Sequence, residues 1–290
     1  MSGNPIKELR ELTGSGFIDC KKALDATNGN IQEAIKWLQE NGIAKAVKKL
    51  GRIAAEGLVA TLVNDKFGVI YEVNSETDFV SKNDKFVALV NEIGNILIAN
   101  DFKTDEEAAK LKNSKGQTIE ELATLATSTI GEKISFRRAV KFAKEDGVFV
   151  GNYTHSDGQK AALFVAKGAN DEALKGIAMH ITAMNPEFLN ESSVPAERVS
   201  KLKAEFADSP ALQGKPEAIK ENILKGMLRK SLSEDTLTEQ EYVVEGGKTI
   251  AKYLVEKGAT EIAMVRFEVG EGIDKESVDF AAEVKAQMSN

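Results

Sequence analysis

Apolar residues recur at intervals of three and four through Phe86, Val87, Leu89, Val90, Ile93 and Leu97, which is the period of an amphipathic helix. Just upstream, Gly68-Val69-Ile70-Tyr71-Glu72-Val73-Asn74 alternates as a strand does. Between these two patterns lies Glu76-Thr77-Asp78-Phe79-Val80. Ser81 and Asp84 have the S-x-x-D spacing of a helix start, which predicts that Thr77–Val80 occupy a strand-to-helix loop. Loops on rigid scaffolds often carry function, and a large apolar residue beside a carboxylate is unusual there. Phe79 either inserts into a partner's pocket, worth about 1.5–3 kcal/mol if fully buried, or folds back onto its own core. Spacing leaves both readings open.

The first forty-odd residues pattern as three short helices. Asn4 can cap a helix with Pro5 at its first position, and Ile6, Leu9 and Leu12 give it one apolar face. Gly14 and Gly16 break it, and a second helix is expected over Asp19–Thr27. Asn30 and Glu33 have capping-box spacing, after which Ile31, Ala34, Ile35 and Leu38 face inward and Gly42 ends the third helix. Phe17 and Ile18, on the turn after Gly16, are candidates for contact, with core packing as the alternative. In the basic stretch Ile43–Arg52, residues Ile43, Val47 and Leu50 form a partial stripe among Lys45, Lys48, Lys49 and Arg52. It reads as a solvated connector or as a surface for an acidic or RNA partner.

Beyond it the pattern repeats. A hairpin through Gly57–Val63 and Gly68–Asn74 precedes helices at about Asn83–Ala99 and Thr118–Ile130, then a strand at Ile134–Phe142. A second hairpin, Gly147–Gly151 and Ala161–Ala166, precedes helices at Asp171–Ala183 and Lys248–Glu256 and a strand at Glu261–Val269. Antiparallel sheets covered by helices predict an α+β fold. Where the first copy has Thr77-Asp78-Phe79-Val80, the second has Lys167-Gly168-Ala169-Asn170, so the scaffold does not require the Asp-Phe pair. Pro186–Lys230 interrupts the second copy. Val199, Leu202 and Phe206, then Ile219, Ile223 and Met227, predict two helices zipped into an antiparallel hairpin. Val278, Ala281, Ala282 and Val284 predict a last amphipathic helix over Lys275–Met288. The implied divisions are 1–54, 55–145, 146–272 with a coiled coil inserted at about 187–232, and 273–290.

Composition narrows the function classes. In 290 residues, 29% are charged and 6% aromatic, with a net charge of −7, which argues against a general nucleic-acid binder. The single cysteine, Cys20, excludes an internal disulfide framework and a multi-cysteine metal cluster. No apolar run is long enough to span a membrane and no signal-peptide core is present, so the expected location is the cytoplasm. Enzyme motifs fail on inspection. Gly246-Gly247-Lys248-Thr249 ends like a phosphate-binding loop, but position 242, where that motif needs glycine, is Tyr. His155-Ser156-Asp157 holds triad residue types in a turn too tight for them to converge. His180, on a helix with Ile177, Ile181 and Met184, is a satisfied core or surface histidine on one reading and a partner contact near Phe79 on the other.

Four motifs occurring in order resemble bacterial elongation factor Ts. They are Thr13-Gly14-Ser15-Gly16-Phe17-Ile18-Asp19-Cys20-Lys21-Lys22-Ala23-Leu24, Thr77-Asp78-Phe79-Val80, Ile177-Ala178-Met179-His180, and Arg266-Phe267-Glu268-Val269-Gly270-Glu271-Gly272. The resemblance implies an N-terminal module like a ubiquitin-associated three-helix domain, a duplicated core with an inserted coiled coil, and a terminal helical module that embraces the partner. It implies guanine-nucleotide exchange on elongation factor Tu, in its GDP-bound and nucleotide-free forms, with no bond made or broken. Thr77, Asp78, Phe79 and Val80 would form the element that dislodges the partner's Mg²⁺. Phe17, Ile18 and His180 would be further contacts. No cofactor, metal, nucleic acid or membrane is expected, and self-association is left open. The family often carries a second histidine where this chain has Gly176, a departure that weakens any role built on a histidine pair.

Overall fold

The computed structural model describes residues 5–274. Strands β1 (Glu56–Val63), β2 (Phe67–Ser75) and β3 (Ser135–Ala143) form one sheet in the order β1-β2-β3. Strands β4 (Val148–Thr154), β5 (Lys160–Lys167) and β6 (Thr260–Glu268) form another in the order β4-β5-β6. In both, the closing strand lies beside the second strand of the hairpin. The repeat read from hydrophobic pattern therefore returns as a repeat of topology, and the fold is the expected α+β. The chain divides into two compact units, described here over 5–58, 72–138 and 268–274 for the first and over Val59–Tyr71 and Ala139–Phe267 for the second.

The first unit begins with α1 (Pro5–Thr13), α2 (Phe17–Ala26) and α3 (Ile31–Val47). Leu9, Cys20, Ala23, Leu24, Ala34 and Leu38 form their shared core. Asn28 and Gly29, at φ of 50° and 82°, turn the chain between α2 and α3, and Asn30 Oδ1 accepts the Glu33 amide at 3.2 Å. Three details differ from the sequence reading. Leu12 is 60% exposed rather than part of the inner face. Helix α2 starts two residues early, so Phe17 and Ile18 lie in its first turn. Helix α3 runs through Gly42 to Val47. A Cβ on residue 42 would lie 2.7 Å from Ser128 Oγ, in the helix α6 (Ile119–Ile130). Glycine there serves a close helix crossing instead of a stop. The expected cap at Asn4 lies outside the described residues.

Helix α4 (Asp84–Ala99) buries Phe86, Leu89, Val90, Ile93 and Leu97 of the expected face, whereas Val87 is 37% exposed. Its cap is Asn83, whose Oδ1 accepts the Lys85 and Phe86 amides at 2.9 and 3.4 Å, and not the expected Ser81 pairing. A short helix, α5 (Asp105–Ala109), precedes α6, whose Thr118–Glu121 capping box is complete. Glu72, in β2, is fully buried and carries the unit's main polar node. Its carboxylate accepts from Arg137 Nη1 at 2.9 Å, Arg138 Nε at 2.7 Å, Asn74 Nδ2 at 3.0 Å and the Gly270 amide at 2.8 Å. Buried charge is tolerated there because four donors surround it.

In the second unit, β4 and β5 pair antiparallel from Val148↔Lys167 to Thr154↔Ala161. Helix α7 (Asp171–Met184) lies on them so closely that a Cβ on Gly151 would sit 2.1 Å from the Leu174 carbonyl carbon. Phe164, Leu174, Ile177, Ile181, Tyr242 and Tyr253 dominate the core. Helices α8 (Ala196–Ala207) and α9 (Glu217–Asp235) form the inserted hairpin, and α10 (Ile250–Glu256) completes the set among the described residues. The hairpin seam is looser than a zipper. Leu202 is buried on α8, but no α9 residue is, and Ile219 is 46% exposed. On α9, Ile223, Leu224, Met227, Leu228 and Leu232 are half-buried. The terminal helix expected at Lys275–Met288 lies outside the described residues.

Candidate functional site

Residues 76–83 separate β2 from α4, whereas residues 168–170 alone separate β5 from α7. Asn83 and Asn170 cap their helices alike, so they correspond between the copies. The extra residues of the first copy are the 3₁₀ turn Asp78–Lys82. This corrects the residue matching expected from sequence: Asn170 matches Asn83 and not Val80, and the Asp-Phe turn is an insertion without a counterpart.

Two carboxylates hold the base of this turn. Glu132 accepts the Thr77 amide at 2.9 Å and the Thr77 hydroxyl at 2.8 Å. Glu76 reciprocates, accepting the Lys133 amide at 2.5 Å and Arg52 Nη1 at 3.1 Å. Ser75 Oγ donates to the Thr77 carbonyl at 2.9 Å, and Ser81 Oγ to the Asp78 carbonyl at 2.6 Å. Val80 is buried and acts as the anchor. Phe79, its neighbour, is 83% exposed, and Asp78 is exposed beside it. The fold-back reading of Phe79 is therefore excluded. Its ring stands in water on a turn that polar contacts already order.

The turn between α1 and α2 is tied to the same region, because Lys85 Nζ, in the first turn of α4, donates to the Gly14 carbonyl at 2.9 Å. Just past that turn, Phe17 is 52% and Ile18 66% exposed. The basic stretch is largely committed to the framework. Lys45 pairs with Asp19 at 2.6 Å, Lys49 donates to the Gly131 carbonyl, and Arg52 pairs with Glu76. Sequence reading missed Arg52, Glu76, Glu132 and Lys133 as the frame of the loop. Nothing local marks them, since they meet across separations of 24 to 57 residues.

His180 belongs to the second unit and is fully buried. Its Nε2 lies 2.8 Å from Gln240 Oε1, and Gln240 Nε2 donates to the Glu234 carbonyl at 2.7 Å. Gln240 Oε1 is thus the acceptor, Nε2 carries the proton, and Nδ1 accepts the Val243 amide at 3.4 Å. Burial pushes the imidazole below its usual pKa, opposed in part by the Gln240 bond. Gly176, one turn earlier, has Tyr242 in the space its side chain would fill: a Cβ there would lie 2.1 Å from the phenol oxygen. Lys248, the lysine of the incomplete phosphate motif, is held by Glu245 at 3.1 Å and Glu256 at 2.7 Å. His155 and Asp157 contact only as neighbours in an exposed turn, at 2.8 Å. Among the described residues no group of three His, Cys, Asp or Glu could hold a metal, and no helix is long and apolar enough to cross a membrane.

Comparison with known proteins matches residues 76–271 to the family model described as Elongation factor TS. An elongation factor Ts of Mycoplasmopsis pulmonis is 53% identical over 283 residues, covering 98% of this chain and 96% of its own. That of Mycoplasma mobile is 52% identical over 98% of this chain and 97% of its own. That of Lacticaseibacillus casei is 46% identical over the same shares of the two chains.

Proposed function

The chain belongs to the elongation factor Ts family, and from that premise we propose that it is a guanine-nucleotide exchange factor for elongation factor Tu in which residues 77–80 do the displacing. No bond is made or broken. The factor binds the nucleotide-free GTPase more tightly than the GDP form, and by linkage GDP is weakened to the same degree. Phe79 enters an apolar pocket on the magnesium side of the nucleotide site, and Asp78 disturbs the polar network that holds the ion. Thr77 and Val80 keep the turn in shape, one through Glu132 and the other through burial. The observation that carries this reading is the exposure of Phe79 on a turn anchored at both ends. Full burial of that ring in a partner is worth about 1.5–3 kcal/mol, or roughly ten- to 150-fold in an equilibrium. One ring cannot offset tight GDP–Mg²⁺ binding, so Phe17 and Ile18 share the interface. His180 acts from inside, holding residues 240–243 in place.

Release of a fluorescent GDP analogue from elongation factor Tu tests the reading. Phe79→Ala and Asp78→Ala should each slow release at least tenfold while the thermal melt stays within about 0.5 kcal/mol of the parent, as for exposed sites. Normal release by both variants would remove the turn from the mechanism.

A further inference from the structure

Building on the exchange reading above, we propose that Lys85 is a positioning residue. It holds the N-terminal three-helix module in place beside the exchange turn, so that Phe17, Ile18 and Phe79 meet the GTPase as one preset surface. Lys85 is the second residue of α4, two beyond the cap Asn83 and six beyond Phe79. Its amide donates to Asn83 Oδ1 at 2.9 Å, while its Nζ reaches back across 71 residues to donate to the Gly14 carbonyl at 2.9 Å. Phe17 and Ile18 follow Gly14 by three and four residues. One exposed side chain therefore joins the root of the turn to the root of the second pair of contacts.

A lysine at that position does nothing for its own helix. The first turn of α4 is the positive end of the helix dipole, where a cation is unfavourable and Asp84 is the fitting residue. The Gly14 carbonyl lies just past the last residue of α1, at the negative end of that helix's dipole, where a cation is favoured. What Lys85 loses at α4 it recovers by bridging to α1. Gly14 is shaped for the bridge. Its φ is 69°, its amide closes α1 by donating to the Arg10 carbonyl at 2.7 Å, and a Cβ there would lie 1.7 Å from Lys85 Nζ. The ammonium thus occupies the space that a side chain at position 14 would need. The crossing of α3 on α6 at Gly42 and Ser128, with the bond from Lys49 to the Gly131 carbonyl, holds the module by its third helix and the residues after it. Lys85 adds a tie at the α1–α2 turn, next to the contact residues. Losing that tie lets the turn shift, and binding must then order it.

Release of a fluorescent GDP analogue from elongation factor Tu, followed against the concentration of the full-length factor, tests this. Lys85→Met keeps the aliphatic stem and removes the donor. It should raise the half-saturating concentration about three- to tenfold, the scale of one hydrogen bond, and leave the plateau rate unchanged. The bond is exposed, so the thermal melt should stay close to that of the parent. In a background carrying Phe17→Ala and Ile18→Ala, the same change should add less than about twofold, because the residues it positions are gone. Three results overturn the proposal. They are an unmoved half-saturation, a loss confined to the plateau, and a loss of full size in the doubly substituted background, which would make Lys85 a direct contact. Phe79→Ala and Asp78→Ala measured alongside keep the two readings apart. If they lower the plateau while Lys85→Met moves nothing, the turn stands and the bridge falls. If their plateaus are normal, the turn falls and the shared surface falls with it.

Discussion

Replacing Glu72 by Gln exchanges one buried carboxylate for an amide of the same shape, in a cage built to receive negative charge. The four donors around it, from Arg137, Arg138, Asn74 and the Gly270 amide, stand at 2.7–3.0 Å. The Gln oxygen can satisfy at most two of them, and its amino group then faces donors. Each charge-assisted bond lost costs about 1.5–3 kcal/mol. The arginine side chains are 24% and 23% exposed, so water recovers part of that cost. Removing one side of a buried ion pair is worth about 3–5 kcal/mol in general, and the same is expected here. At roughly 2–4 °C per kcal/mol the melting temperature should fall by about 6–20 °C, measured by calorimetry at neutral pH. Glu271→Gln is the control. That carboxylate also pairs with Arg138, at 3.2 Å, but is half exposed, and its loss should cost under about 1 kcal/mol. If Glu72→Gln melts within about 1 kcal/mol of the parent, the cage contributes nothing and its hold on Gly270 has no energetic basis.

Further consequences are open to measurement. Glu132→Ala removes both bonds that hold Thr77 without touching Phe79, so GDP release should slow about tenfold, equivalent to 1.4 kcal/mol. Unchanged release would mean that the turn needs no frame. Gly57 sits at φ of 133° with Val73 O 2.2 Å from where a Cβ would be, so Gly57→Ala should cost about 2–4 kcal/mol in urea unfolding, and a neutral result would contradict that approach. His180 is held below its ordinary pKa of 6.5 by burial, so the unfolded chain takes up its proton first as pH falls. Its contribution to stability is complete above about pH 6.5 and is lost on acidification towards the folded-state pKa. His180→Gln should flatten the stability curve below that pH, and an unaltered slope would show that His180 does not titrate differently on folding.

Helix and strand positions were legible in the sequence because their causes lie within a few residues. The alternation of 68–74, the three-and-four spacing of α4, and the cap at Asn30 all act over one or two turns. The repeat was legible for the same reason, and so was the Asp-Phe pair as an oddity of one copy. The role of Gly42 was not, because a glycine looks the same whether it ends a helix or lets another helix approach. Nor was the choice between an inward and an outward Phe79. That choice rests on Glu132, which reaches Thr77 from 55 residues away, and on Lys133 and Arg52, which meet Glu76 across 57 and 24 residues. Glu72 reads as one polar position in an alternating strand until Arg137 and Gly270, at separations of 65 and 198, close around it. Periodicity and capping are local and survive in a linear string. Burial of a charge and exposure of a ring depend on which distant segments share space, and that information exists only once the chain has folded.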